Sequence, residues 1–292
     1  MEDKTVEIRW HGRGGQGAVT SAELLALTAI QEGKYAQAMP SFGPERRGAP
    51  VMAFNRVNNS YPIRTRAPVD EPDVVVVLDP GLLEIVDVTS GLKKDGIIVV
   101  NSSKKSDDIK KQFRSEWKIA IVDASKIAKE TLGVPIVNTT MLGALIKAIK
   151  LIDFNSLEES LKERFGPKAK NNLDSCKKAY GETVIVKATP DQTVTGKIYQ
   201  SEKLLTWREI LAGAVVIEPG NARTYCTGDW KSANPILDYE KCNKCGLCYL
   251  YCPEGCIDPM NDGYFKPNLF YCKGCGICAK ECPKNVINMI EV

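Results

Sequence analysis

Eight of the eleven cysteines fall into two copies of one pattern. Cys242, Cys245, Cys248 and Cys252 follow C-x2-C-x2-C-x3-C with Pro253 next, and Cys272, Cys275, Cys278 and Cys282 repeat it thirty residues later with Pro283 next. Three thiols at two-residue intervals and a fourth at a longer one form the ligand run of a [4Fe–4S] cluster, and in paired runs the fourth Cys serves the other run's cluster. The expected sets are therefore Cys242, Cys245, Cys248 and Cys282 around one cluster, and Cys272, Cys275, Cys278 and Cys252 around the second. Gly246, Gly274 and Gly276 let the backbone turn tightly between the thiols, and each proline stops a continuing helix and sets the chain towards the other half.

Two other chemistries use paired cysteines. A zinc ribbon needs four ligands and has no use for the third Cys and the Cys-Pro of each half. A disulfide framework seldom shows two metal-spaced copies in a chain without a secretion signal. Cys256, four residues after Cys252, lies outside both sets and reads as a packed free thiol. Cys176 and Cys226 read as ordinary small hydrophobes.

The rest of the composition excludes several function classes. A net charge of +3 is too small to argue for nucleic acid or an anionic membrane surface. No apolar run reaches spanning length and no apolar segment follows Met1-Glu-Asp-Lys, which predicts a cytoplasmic, reducing setting. His11 is the one histidine, so a histidine-based metal site or Ser-His-Asp triad must use it or not exist.

At 292 residues there is room for a core-forming domain ahead of the cysteine-rich one. Residues 5–10 alternate as a strand, and Ala18 to Gln31 has helical spacing. Val51 to Val57, Asp73 to Asp79, Gly96 to Asn101 and Lys118 to Asp123 read as further strands, the last three as buried parallel ones. Helices are expected at 80–87, 124–131, 139–151 and 157–165. The alternation predicts an α/β, three-layer domain with a largely parallel sheet over 1–185. An extended connector over 186–235 follows, holding at best a short helix near Thr206 and a strand-turn near Gly213 to Gly220. A C-terminal α+β two-cluster ferredoxin-like domain occupies 236–292, where apolar residues such as Leu250, Ile257, Phe270, Ile277, Val286 and Ile287 are expected to wall water from the clusters.

Two loops of the first domain are candidate binding elements. Gly12, Gly14 and Gly17 satisfy G-x-G-x-x-G between a strand and a helix. A dinucleotide site also needs an acidic residue about twenty positions on, and Tyr35-Ala-Gln-Ala-Met39-Pro40 offers none. A loop that packs on a partner chain or approaches another phosphate-bearing ligand is preferred. In Pro40-Ser-Phe-Gly-Pro-Glu45-Arg46-Arg47-Gly48 the paired arginines suit a carboxylate or phosphate, or an ion pair beside Glu45. Gly12, Gly14, Gly15, Gln16, Gly17, Arg46 and Arg47 are thus candidate coenzyme or partner contacts.

Taken together, Gly12-Arg-Gly-Gly-Gln-Gly17, Pro40 to Gly48, Thr227-Gly-Asp-Trp230, Pro235-Ile-Leu-Asp-Tyr-Glu-Lys-Cys242 and Tyr251-Cys-Pro-Glu-Gly255 resemble the gamma and delta subunits of 2-oxoacid:ferredoxin oxidoreductases, joined in one polypeptide. The resemblance implies alpha and beta catalytic subunits carrying thiamine diphosphate and Mg, and a dimer of such hetero-oligomers. It implies coenzyme A use in some members and an external ferredoxin as electron acceptor. This chain, with no catalytic residue of its own, would relay electrons from oxidation of a 2-oxoacid, with pyruvate the default and oxalate or others open. The rival readings are a ferredoxin-domain adaptor and an NAD-linked iron–sulfur oxidoreductase component.

Overall fold

The computed structural model describes residues 4–41, 48–113, 117–187, 206–213, 215 and 217–291. It divides into two compact units, Met1–Lys197 and Ile198–Val292. The first is built on β1 (Val6–Arg13), α1 (Ala18–Gln31), β2 (Tyr35–Pro40), β3 (Pro50–Asn58), β4 (Val74–Val77), α2 (Leu82–Ile85), β5 (Ile97–Asn101), α3 (Ser106–Lys110), β6 (Lys118–Val122), α4 (Ala124–Leu132), α5 (Asn138–Ile149), α6 (Phe154–Phe165), α7 (Ala169–Glu182) and β7 (Val184–Lys187).

These strands form one sheet in the order β2-β3-β1-β4-β5-β6-β7. β1, β4, β5 and β6 run parallel, while β3 is antiparallel to β1 and β2, and β7 is antiparallel to β6. The period of two in each central strand sends alternate residues to opposite faces. Val74, Val76, Val99, Ala120 and Val122 meet α1 and α4 to α7 on one face, whereas Val75, Val77, Ile98, Val100, Ile119 and Ile121 meet Leu82, Ile109 and Phe113 on the other. This is the three-layer α/β arrangement that the strand and helix pattern predicts.

Local chemistry sets the helix ends. Asp123 caps α4 by accepting from the Lys126 N–H at 3.0 Å, and Gly133, at φ 73°, ends it in the left-handed region. Asp153 caps α6 through the N–H groups of Asn155 and Ser156. Buried polar groups are paired across elements. Trp10 Nε1 donates to Asn55 Oδ1 at 2.7 Å, and Asn55 Nδ2 donates to the carbonyls of Ala22 and Gln37, so one side chain ties β1, β2, β3 and α1 together.

The opposite face of β1 carries Arg9, His11 and Arg13 in succession, all buried. Arg9 donates to the carbonyls of Val69, Asp70, Val88 and Ser90, and through Nε to His11 Nε2 at 3.1 Å. Arg56 on β3 donates to Glu7 Oε1 and to the carbonyls of Ala67 and Pro68. The two guanidinium forks fasten the irregular 59–72 chain to the sheet, and burial with the Arg9 charge holds His11 down at about 3. The lone histidine is a neutral structural acceptor here.

In the second unit, β8 (Ala233–Leu237) pairs antiparallel with β11 (Ile287–Glu291), and β9 (Ile257–Pro259) with β10 (Phe265–Pro267); α8 (Leu247–Leu250) and α9 (Ile277–Lys280) are single turns. The expected connector reaches into both units: β7 extends the first sheet to Lys187, and Thr227–Trp230 packs with the second. Gly228 N–H donates to Phe270 O at 2.8 Å, and a Cβ on Gly228 would stand 2.1 Å from Leu269 O. Near Thr206 the backbone forms turns in place of the expected short helix, and no described residue of 213–220 lies in a strand.

Candidate metal centres and the glycine loop

Each cysteine run begins with a turn that aims backbone donors at sulfur. Lys244 and Gly274 take φ of 60° and 63°, and their N–H groups donate to Cys242 Sγ and Cys272 Sγ at 3.4 Å. A side chain on Gly274 would meet Ala233 O at 2.4 Å, so only glycine fits where β8 passes. Gly246 and Gly276, at φ 75° and 77°, then start α8 and α9, which present the third cysteine of each run.

The result is two cavities. One is lined by Cys242, Cys245, Cys248 and Cys282, with Leu237, Phe265, Val286 and Ile287 among its walls. The other is lined by Cys252, Cys272, Cys275 and Cys278, with Pro235, Ile257, Pro267 and Met289. In each, the fourth thiol comes from the other run. Among the described residues no three His, Cys, Asp or Glu donors close on a point as a single ion requires. The thiols ring a volume, as the ligands of a polynuclear cluster do.

Thiols ionise when they bind metal. The hydrogen bond from Cys256 holds the Cys272 thiol below its ordinary value, and burial pushes Cys278 up to about 11. Cys256 lies 4% exposed on the wall of the second cavity, its Sγ 3.6 Å from Cys252 Sγ. It is packed as expected, yet it faces the thiols and not an apolar core. Ile257, Val286 and Ile287 are buried, whereas Leu250, Phe270 and Ile277 are 70%, 50% and 38% exposed. The expected apolar wall is therefore one-sided: Leu250 and Ile277 stand on single-turn helices and Phe270 on a turn, and no described residue of this unit covers their outer faces.

The glycine loop stands at the carboxyl ends of β1 and β4, where the chain switches direction across the sheet, the usual ligand position in open α/β sheets. Its amides at Gly14 and Gln16 are engaged internally: Gly14 donates to Ala49 O at 2.8 Å, and Gln16 to Arg13 O at 3.0 Å. Gly48 N–H donates to Gly14 O at 3.1 Å, so the loop grips the end of the segment that carries Arg46 and Arg47. Those two arginines lie outside the described residues. Gly12 packs close to Ala18 Cβ, Gly15 is open at φ 97°, and Gly17 sits at φ 85° against Asn138, where a Cβ would approach Nδ2 to 2.7 Å. The third glycine thus serves the packing of α1 on α5. β3 lies between β1 and β2, so the adjacent parallel pair of a dinucleotide fold does not form.

Sequence reading missed the group beneath this loop. Arg13 Nε lies 3.2 Å from Asp79 Oδ2, and Gln16 Nε2 donates to the same oxygen at 2.6 Å. The available signal was Asp79 at the end of an apolar strand run, where a carboxylate needs a partner.

A family profile described as pyruvate ferredoxin/flavodoxin oxidoreductase matches residues 7–182, and one described as 4Fe-4S binding domain matches 235–258 and 266–288. The chain belongs to the pyruvate ferredoxin/flavodoxin oxidoreductase family. It is an oxidoreductase subunit of that family with two 4Fe-4S-binding motifs. It is 52% identical over 182 residues to the pyruvate/ketoisovalerate oxidoreductases common subunit gamma of Pyrococcus furiosus, covering 98% of that subunit and 62% of this chain. Among solved structures it is similar to pyruvate oxidoreductase subunit PORC of Thermotoga maritima, with TM-score 0.57, 38% identity, and coverage of 62% of this chain and 98% of that one. A 2-oxoglutarate:ferredoxin oxidoreductase from Magnetococcus marinus covers 85% of this chain and 37% of that one, with TM-score 0.50 and 20% identity, a likeness of fold. Among the described residues no helix is long and apolar enough to cross a membrane.

Proposed function

We propose that this chain unites the gamma-type scaffold and the delta-type electron relay of a thiamine-diphosphate-dependent 2-oxoacid:ferredoxin oxidoreductase. The observation that carries the reading is the pair of cavities, one lined by four cysteines and the other by five, drawn from both runs, on the same chain as a unit of this family. Cys242, Cys245, Cys248 and Cys282 hold one [4Fe–4S] cluster, and Cys272, Cys275, Cys278 and Cys252 the other. When bound, such clusters supply one-electron carriers whose potential follows burial, charge and hydrogen bonds to sulfur. The chain's own part is to position the thiolates, to donate the Lys244 and Gly274 amides to sulfur, and to exclude water with Ile257, Val286 and Ile287.

The carbon chemistry belongs to alpha and beta partner subunits carrying thiamine diphosphate and Mg, with external cytoplasmic ferredoxin as acceptor and two hetero-oligomers in the full assembly. Pyruvate is the default oxoacid, with coenzyme A as cosubstrate. The Pyrococcus relative is named as common to pyruvate and ketoisovalerate oxidoreductases, which supports placing substrate choice on the partner chains.

The test is anaerobic purification with the natural partners and a screen of 2-oxoacids, with and without coenzyme A, for ferredoxin reduction. Iron and acid-labile sulfide should each approach about eight per chain. A complex that reduces ferredoxin with no oxoacid, or that does so only from NADH, would overturn the reading.

A further inference from the structure

The two cysteine runs are copies down to the backbone. Lys244 and Gly274 share a positive φ and the same 3.4 Å donation to the first cysteine's sulfur. Gly255 and Asn285, three residues after the fourth cysteines, also match, at φ 58° and 51°. The next position is where the copies part. It is Cys256 in one and Val286 in the other, 4% and 5% exposed, each lining the cavity that its own fourth cysteine lines.

At equivalent wall positions, then, one site has two methyl groups and the other a thiol 3.6 Å from the Sγ of Cys252. A metal-bound Cys252 carries no proton and only accepts, so the proton of that contact belongs to Cys256. A hydrogen bond to a ligand sulfur draws charge off it and favours the reduced, more negative state, which raises the potential. The backbone donors at Lys244 and Gly274 are matched between the two sites and do not set them apart. Of the nearby side-chain charges, Lys273 is paired with Glu254 at 2.9 Å and the half-buried Lys231 donates to Leu269 O; all three are unchanged in the Cys256 variants.

We propose that Cys256 is a positioning residue that sets potential, holding the site of Cys272, Cys275, Cys278 and Cys252 at a higher potential than an apolar residue in its place would give. It acts through the ligand sulfurs it meets, Cys252 and Cys272, and is not itself a ligand. The inference rests on the cluster assignment above, which total iron together with the cluster lost in Cys252→Ala and Cys282→Ala tests separately.

The experiment uses the full chain, reconstituted anaerobically with iron and sulfide, in wild-type, Cys256→Val, Cys256→Ala and Cys256→Ser forms. Iron content is measured first, and each sample is then titrated with dithionite under EPR. All four forms should hold the same iron. In the valine and alanine variants one of the two reduction steps should move to more negative potential while the other stays, and serine, which keeps a donor, should restore most of the shift. Unchanged steps in both variants at full iron content would overturn the proposal. So would loss of about half the iron from Cys256→Ala, which would make Cys256 a ligand.

Discussion

Arg13 Nε and Asp79 Oδ2 lie 3.2 Å apart with 5% and 6% of their side chains exposed, joining the carboxyl end of β1 to that of β4 beneath the glycine loop. Asp79 also accepts from Gln16 Nε2 at 2.6 Å and from the Gly81 N–H at 3.0 Å. Removing one partner of a buried pair leaves the other charge without compensation and costs about 3–5 kcal/mol. Asp79→Ala should therefore lower stability by roughly that much in denaturant unfolding. The double variant Arg13→Met/Asp79→Leu should lose less than Asp79→Ala alone. A double-variant loss equal to the sum of the single ones would show that the pair is uncoupled.

His11 gives a pH signature. Its folded value is about 3 against an ordinary 6.5, because burial and then the Arg9 charge oppose protonation. Between these values the unfolded chain binds a proton that the folded chain refuses. The contribution is full above about 6.5 and is lost as pH falls, at about 1.4 kcal/mol per pH unit. Wild type should lose roughly 1.4 kcal/mol more than His11→Gln between pH 7.5 and 5.5. Equal losses would place a charged or exposed imidazole at this position.

What could be read from the residues was what is encoded locally. Val74–Val77 lies between two helical layers and shows as an unbroken apolar run, and the cysteine spacing is itself the ligand geometry. α7 escaped notice because Lys170, Asn171, Asp174, Lys177 and Lys178 dominate it, leaving only a narrow stripe of Leu173, Cys176 and Ala179 to meet the core. β7 has four residues and directly follows a helix, so no alternation shows. The insertion of β3 between β1 and β2, and the meeting of Arg13 with a carboxylate more than sixty residues away, are long-range pairings with no local trace. Gly17 reads as a phosphate-loop glycine by motif, while its neighbour Asn138 gives it a packing role.

That last contrast is measurable. Gly15 and Gly17 both take positive φ, so alanine strains either by about 1–3 kcal/mol. Only at Gly17 would the added Cβ also strike Asn138, at 2.7 to 2.9 Å. Gly17→Ala should melt clearly below Gly15→Ala, and Asn138→Ala should recover part of the gap. Equal melting temperatures would show that α5 yields at no cost.

The crossed thiols make a second contrast. Cys282 lines the cavity of Cys242, Cys245 and Cys248, thirty or more residues away in the chain. Cys282→Ala should therefore damage the cluster held by the first run and spare the one held by Cys272, Cys275 and Cys278. Cys252→Ala should do the reverse. Mössbauer spectra showing each substitution damaging its own run would refute the crossed assignment.

The division of the chain yields the last prediction. The two units separate near residue 197, and Gly228, Lys231 and β8 are bound to the second through Phe270, Leu269 and β11. A cut at 236 would strip β8 from β11, whereas ending the chain at 197 leaves the α/β unit whole. The shortened chain should fold and still join its partner subunits, since its sheet and both cores lie before the cut. Decarboxylation on the partners should continue, followed by release of labelled carbon dioxide with a small artificial acceptor. Ferredoxin reduction should fall sharply, because every residue of both cysteine cavities lies beyond the cut. If the shortened complex reduced ferredoxin at the full rate, the two cysteine sites would lie off the working path, and the relay assigned to this chain would have to be given up.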